Sequence, residues 1–164
     1  MKKFFFVTFV SAVCFLQRGS AQELKSEFLL DLEIDLNPAQ QVGQVLKGTR
    51  TIYPFKGGAV KGDKVNGKIL ESGADWGLVL DSNTFKIDVR ATVKTDDDAL
   101  IYVTYSGFKH SNGKSAAPAD DYFRTAVSFE TNAPKYAWLN HTVAVGVGRL
   151  PGPGKVAYRI YAIK

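Results

Sequence analysis

The chain of 164 residues has one cysteine, Cys14, two histidines, His110 and His141, and no apolar run longer than that between Phe4 and Leu16. Each scarcity excludes something. Cys14 lies inside that first run, so a chain that loses the run has neither a disulfide nor a thiol nucleophile, and thiol redox catalysis is excluded. With two histidines and no other cysteine, a transition-metal centre would have to rest on carboxylates, so no metal and no cofactor is expected. The Phe4 to Leu16 run, interrupted by Thr8 and Ser11, falls short of the roughly 20 residues of a membrane-spanning helix. No serine stands in a nucleophile-elbow context, which disfavours acyl transfer through a Ser/His/Asp triad. A helical stripe longer than two turns, an internal repeat, a linker and a low-complexity segment are missing too.

What is present begins with Lys2-Lys3, the apolar run, and then Gln17-Arg18-Gly19-Ser20-Ala21. These are the three parts of a secretory signal, with cleavage expected after Ala21. Val13 before Cys14 argues against a lipoprotein. The chain therefore divides into a signal peptide, 1–21, and one domain, 22–164, in a secreted or exported protein. Cleavage removes Lys2, Lys3 and Arg18 and lowers the formal charge from +5 to +2. A chain so near balance lacks the clustered basic face of a nucleic-acid binder. The remaining length suffices to bury a core without disulfides.

From Phe28 onward the hydrophobic period is two. Phe28, Leu30, Leu32, Ile34 and Leu36 alternate with Leu29, Asp31, Glu33 and Asp35, the pattern of a half-buried strand. Alternation recurs over 86–94, 99–106, 122–130, 136–147 and 156–163, and shorter runs at 45–55, 65–71 and 75–81 bring the strands to about nine. Between them stand Asn37-Pro38, Gly57-Gly58, Gly62-Asp63, Asn66-Gly67, Asp81-Ser82-Asn83, Asp96-Asp97-Asp98, Asn112-Gly113 and Pro151-Gly152-Pro153-Gly154, all with turn chemistry. The fold class is all-β, a single small antiparallel barrel of about eight to nine strands, since closure removes the open edges of so many strands. The longest loop, Lys109 to Asp121, is the expected place for a lid. A membrane barrel is disfavoured by the terminal Lys164, the glycine breaks and the lack of aromatic belts.

Sorted by parity, one strand face is apolar: Ile87, Val89, Ala91 and Val93; Phe123, Val127 and Phe129; Leu139, Val143, Val145 and Val147. The other carries Arg50, Asp75, Lys86, Asp88, Arg90, Tyr102, Thr104, Tyr122, Arg124, Trp138, Asn140 and Thr142. Such a face is either wetted surface or the wall of a lumen. Aromatics among Arg and Asp suit a pocket that stacks a flat ligand.

Other motifs fail on inspection. Gly113-Lys114-Ser115 resembles the end of a phosphate-binding loop, but Phe108 stands where that motif needs glycine. Asp96-Asp97-Asp98 lacks the spacing and terminal Glu of a calcium loop and reads as a hairpin turn. His141 shares the parity of Leu139 and Val143 and reads as a packed or edge histidine. Asn140-His141-Thr142 fits a glycosylation acceptor, yet Asn140 shares a face with Trp138 and reads as structural or ligand-facing.

Seven segments occur in an order that matches a family: Gly48-Thr49-Arg50 with Pro54-Phe55-Lys56-Gly57-Gly58, Gly73-Ala74-Asp75-Trp76, Asp88-Val89-Arg90, Thr95-Asp96-Asp97, Tyr122-Phe123-Arg124-Thr125, Phe129-Glu130-Thr131 and Tyr136-Ala137-Trp138-Leu139-Asn140. Over roughly residues 25–163 the chain resembles the small β-barrel family labelled domain of unknown function 3237, from bacteria and fungi. Asp98 stands where that family has glycine, Lys56 where it has a small polar residue, and the insert after His110 is short. The resemblance implies a barrel and, through fungal relatives of the chalcone-cyclising type, an isomerase.

On that footing the expected function is a small-molecule-binding barrel that isomerises or cyclises an aromatic or polyketide-like substrate. Ring closure of a phenolic enone needs a phenolate beside the electrophilic carbon and an acid or cation on the carbonyl. Arg50, Lys56, Tyr102 and Arg124 are the candidate catalytic residues. Asp75, Trp76, Asp88, Arg90, His110, Tyr122, Trp138 and Asn140 are the candidate substrate contacts. A non-catalytic carrier of a small hydrophobic ligand is the alternative, and a structural or interaction module the second.

Overall fold

The computed structural model describes residues 23–111 and 121–164. The expected secretory segment, the Gly113-Lys114-Ser115 motif and most of the expected lid lie outside the described residues. Among the described residues, ten strands form one antiparallel sheet: β1 Ser26–Leu36, β2 Gln40–Val45, β3 Gly48–Lys61, β4 Gly67–Ile69, β5 Ala74–Val79, β6 Thr84–Thr95, β7 Leu100–His110, β8 Tyr122–Glu130, β9 Ala144–Gly152 and β10 Lys155–Ile163. Neighbours run β1-β10-β9-β8-β7-β6-β4-β3-β2, with β5 bridging β3 and β6, and β1 also pairing β3. That last pairing closes the ring.

Strand β3 makes the closure possible. Its first half pairs β2 and β5, and its second half pairs β1 and β4. The hinge is Gly57-Gly58, read from sequence as a turn but found inside the strand. Gly57 has φ +127°, and a Cβ on Gly58 would lie 2.2 Å from the Glu33 carbonyl oxygen. Only residues without a side chain let the two backbones approach and bend there. The run at 45–55 corresponds to β3, which begins at Gly48 and continues to Lys61, and β2, Gln40–Val45, is a tenth strand ahead of it that the sequence reading did not include.

The stretch 136–147, expected as a strand, is the second correction. Pro134–His141 is a 3-10 helix with Pro in its first turn, and Tyr136 and Leu139 are its buried residues. Three residues per turn bring these two to one side, and they plug the end of the barrel where β6 turns into β7. Asp97 pins the helix there, accepting hydrogen bonds from Thr95 Oγ1 at 2.6 Å, Tyr136 Oη at 2.7 Å and Lys135 Nζ at 2.6 Å. His141 ends the helix in the open. Asp98, where the family has glycine, has φ +66°, the left-handed conformation that glycine adopts freely and Asp tolerates.

Strand β9 also reverses the expected parity. Val143 is 68% exposed, Val145 and Val147 are half-buried, and Ala144 and Gly146 face inward. The rings of Phe123 and Tyr158, 5.3 Å apart between centroids, take the space that larger β9 side chains would need. A Cβ on Gly148 would sit 2.4 Å from the Phe123 ring, and one on Gly146 2.4 Å from Thr125 Oγ1.

Gly148→Ala is therefore expected to destabilise the fold by about 1–3 kcal/mol through overpacking. Urea unfolding checks this; an unchanged midpoint would show that the Phe123 ring yields freely.

Candidate functional site

Directly opposed residues on neighbouring strands share a face of the sheet. The register runs Tyr53 to Asp75, Asp75 to Val89, Val89 to Tyr105 and Tyr105 to Val127. Val89, Tyr105 and Val127 belong to the core, so Asp75 and Tyr53 point inward with them. A second inward row runs Phe85 to Lys109 to Phe123 nearer the open end.

Between these rows lies a cavity of about 330 Å³, walled by Tyr53, Phe55, Asp75, Phe85, Ile87, Val89, Tyr105, Phe123 and Tyr158, with Leu36, Lys109, Leu150 and Val156 toward the mouth. Its surface is mostly apolar and aromatic, with a few polar groups among them, as in sites for small organic molecules. The rings of Tyr105 and Tyr158 meet edge-on, 4.9 Å between centroids. Lys109 Nζ is held at 2.5 Å by Asp121 Oδ2.

Asp75 is the chemically distinctive wall residue. One carboxylate oxygen accepts the backbone N–H of Asp88 at 3.0 Å. Burial pushes its carboxyl up to about 6, with the nearby Asp88 charge adding to the rise, while the Asp88 N–H and the Arg50 guanidinium oppose it. The phenols of Tyr105, Tyr158 and Tyr53 are all raised as well, chiefly by burial. The lumen thus contains one carboxyl poised near neutrality and phenols that keep their protons.

Of the twelve residues singled out from sequence, Asp75 alone lines this cavity. The polar strand face is the outer surface: Tyr102, Tyr122 and Trp138 remain 38%, 54% and 37% exposed. Lys56 is exposed. Arg50 donates to the carbonyls of Trp76 and Gly77, the latter at 3.4 Å. Arg90 pairs with Asp88 at 3.1 Å and lies over the Trp76 ring at 5.2 Å. Arg124 donates to the Phe123 carbonyl and stacks on Tyr122, and His110 Nδ1 bonds Thr84 Oγ1 at 2.9 Å. Trp138 packs under Lys64 at the plugged end. Asn140 bonds both the N–H and the carbonyl of Thr131, tying the 3-10 helix to β8.

Sequence reasoning missed Tyr53, Phe85, Tyr105, Lys109, Phe123 and Tyr158. One signal was available: Tyr105, with a hydroxyl, stands on the parity of Ile101 and Val103.

These features define a closed antiparallel barrel with an apolar, aromatic lumen and one interior carboxyl. The chain belongs to the family described as "Protein of unknown function (DUF3237)", whose model matches residues 24–163. It is 30% identical over 132 residues to a UPF0311 protein of Rhodopseudomonas palustris, covering 75% of this chain and 86% of that one. A crystal structure of a β-barrel-like protein from Acinetobacter baumannii is similar with TM-score 0.82 at 37% identity, covering 90% of this chain and all of the other. A structure described as an enzyme from Penicillium herquei is similar with TM-score 0.67 at 25% identity over 89% of this chain and 99% of that one.

The raised Asp75 carboxyl has a thermodynamic consequence. The ordinary value is 3.8 and the folded one about 6, so between these the folded state binds more protons than the unfolded. Stability therefore falls as pH rises from about 4 to about 6, by roughly 3 kcal/mol in all. Asp75→Asn removes this loss. The variant should match wild type near pH 4 and exceed it by up to about 3 kcal/mol at pH 7. Denaturant unfolding across that range checks the difference, and parallel profiles would overturn it.

Proposed function

We propose that the lumen binds a small aromatic or polyketide-like molecule and isomerises or cyclises it by proton transfer, with Asp75 as the acid and base. The observation that carries this reading is a carboxyl facing an apolar cavity and held near pH 6 by burial. A group with that affinity both takes and returns a proton near neutrality, which is what general acid–base catalysis demands. The Penicillium structure being described as an enzyme supports it.

For a hydroxyaryl enone the step balances without another reactant. The hydroxyl proton passes to the Asp75 carboxylate as the oxygen bonds the carbon β to the carbonyl. The alkene electron pair moves toward the carbonyl, and Asp75 then returns the proton to the α-carbon. The apolar wall holds the reacting atoms in contact and keeps water away. The expected roles of Arg50, Lys56, Tyr102 and Arg124 pass, in this reading, to lumen residues. A non-catalytic carrier would use the same cavity and have no need of a poised carboxyl.

Asp75→Asn separates the two. For an enzyme, turnover of a 2′-hydroxychalcone should fall by about a hundredfold or more while binding, followed by quenching of Trp or ligand fluorescence, changes little. No conversion above the buffer rate by wild type, despite tight binding of several such enones, favours the carrier.

A further inference from the structure

The plugged end of the barrel, remote from the mouth, carries a groove that the proposed reaction does not use. It lies between the loop joining β3 to β4, the turn from β6 into β7 and the 3-10 helix, and is lined by Asp63, Lys64, Asn66, Asp96, Lys135 and Trp138 among others. Each of the three segments is anchored in the interior by a buried residue: Val65, Thr95 and Tyr136. Anchoring turns their neighbours outward. Lys64 and Asn66, on either side of Val65, are exposed, and Trp138 keeps 37% of its surface in water while Tyr136 and Leu139 of the same helix are buried. The segments are also tied to one another. The Asp96 N–H donates to the Asn66 carbonyl at 3.0 Å, and Asp97 accepts from both the Thr95 and the Tyr136 hydroxyls. Asn66 Oδ1 accepts the Gly62 N–H at 3.2 Å, which sets the amide plane and leaves its NH2 over. A half-covered indole, an oriented amide and the carboxylates of Asp63 and Asp96 thus stand on a frame that is rigid before any ligand arrives. Past Asp63, Asn66 and Asp96 the groove runs on along Lys61 and Gly67 to the exposed ring of Phe28.

We infer that this groove binds a neutral oligosaccharide, with one pyranose ring stacked on Trp138 and its hydroxyls hydrogen-bonded to Asp63, Asn66 and Asp96. Lys64 and Lys135 face Asp63, Asp96 and Asp97 across the groove, so opposite charges nearly cancel and a strongly charged ligand of either sign gains little. A wholly apolar ligand would strip water from the carboxylates and the amide and return no hydrogen bond. A pyranose meets both demands. Its C–H face covers an indole ring, and each hydroxyl both donates and accepts, matching carboxylates that only accept and an amide that still donates. Lys64 Nζ lies over the Trp138 ring at 5.6 Å. An exposed contact of that kind is weak, so the sugar displaces it, and the ammonium becomes a donor to a hydroxyl. The continuation toward Phe28 makes room for further sugar units. This site is independent of the lumen and of the reaction proposed there.

The test is an NMR titration of the full chain with chitohexaose, cellohexaose and maltohexaose, with hexagalacturonate as the charged control. Trp76 and Trp138 are the only two tryptophans, so their indole N–H signals report separately and Trp138→Phe assigns them. At least one neutral hexasaccharide should move the Trp138 indole and the Asn66 side-chain amide saturably, leave Trp76 in place and bind more tightly than its own disaccharide. Trp138→Ala should weaken that binding by about tenfold and Asp96→Asn by about fivefold. Asp75→Asn should leave it unchanged, and the urea midpoint of Asp96→Asn should match wild type, which separates lost contacts from lost fold. The inference is overturned if no neutral hexasaccharide moves the Trp138 signal, if only hexagalacturonate does, or if binding is the same in Trp138→Ala and Asp96→Asn as in wild type.

Discussion

The antiparallel contact between β1 and β3 is what makes a lumen possible. Without it the sheet would be an open, strongly twisted ribbon, with β1 and β3 as exposed edges. The contact depends on the close approach of Gly58 to the Glu33 carbonyl, and so on a strand that bends where a side chain would forbid it. Once the ring closes, alternation acquires a meaning that an open sheet does not give it. One parity must fill a confined volume, and the other meets water.

How the confined parity is filled decides where the cavity lies. At the plugged end, Tyr136 and Leu139 of the 3-10 helix complete the core, held by Asp97. Toward the mouth, the rings of Phe85, Phe123 and Tyr158 lean inward, and glycines of β9 give way to them. Rings stand off one another edge-on at 5–6 Å and cannot close the gap as branched aliphatics would. The cavity left between them is dry enough that a carboxyl placed in it holds its proton to about pH 6.

The all-β class, the antiparallel barrel and most strand positions were legible in the sequence because period-two alternation is a local signal. The failures were those of non-local packing. Gly57-Gly58 has turn chemistry, and only the demand for ring closure makes it a bend within a strand. Val143, Val145 and Val147 look like a buried stripe, and only the Phe123 and Tyr158 rings reverse their parity. The site was legible at Asp75 alone, through its motif, because residues facing a cavity carry the same apolar signature as residues facing a packed core. Tyr105 looks like core until the register places it opposite Val89 on the wall that holds Asp75.

The family motifs that do not reach the cavity still converge on it from outside. Arg50 binds the carbonyls of Trp76 and Gly77, the two residues that follow Asp75. Asp88 presents its N–H to the Asp75 carboxylate, and its own charge is answered by Arg90, which lies on Trp76. Two motifs separated in sequence, those of Arg50 and of Asp88 and Arg90, therefore brace a third, the wall segment that carries Asp75. An acid that must hold a proton in an apolar cavity gains little from polar neighbours inside it, since each would hydrate the site. Fixing it through the backbone, with the charges kept on the wet side of a sheet one strand thick, orients the carboxyl and leaves the lumen dry. Polar residues of the outer face and the single carboxyl of the inner one are then parts of one arrangement, divided by the sheet.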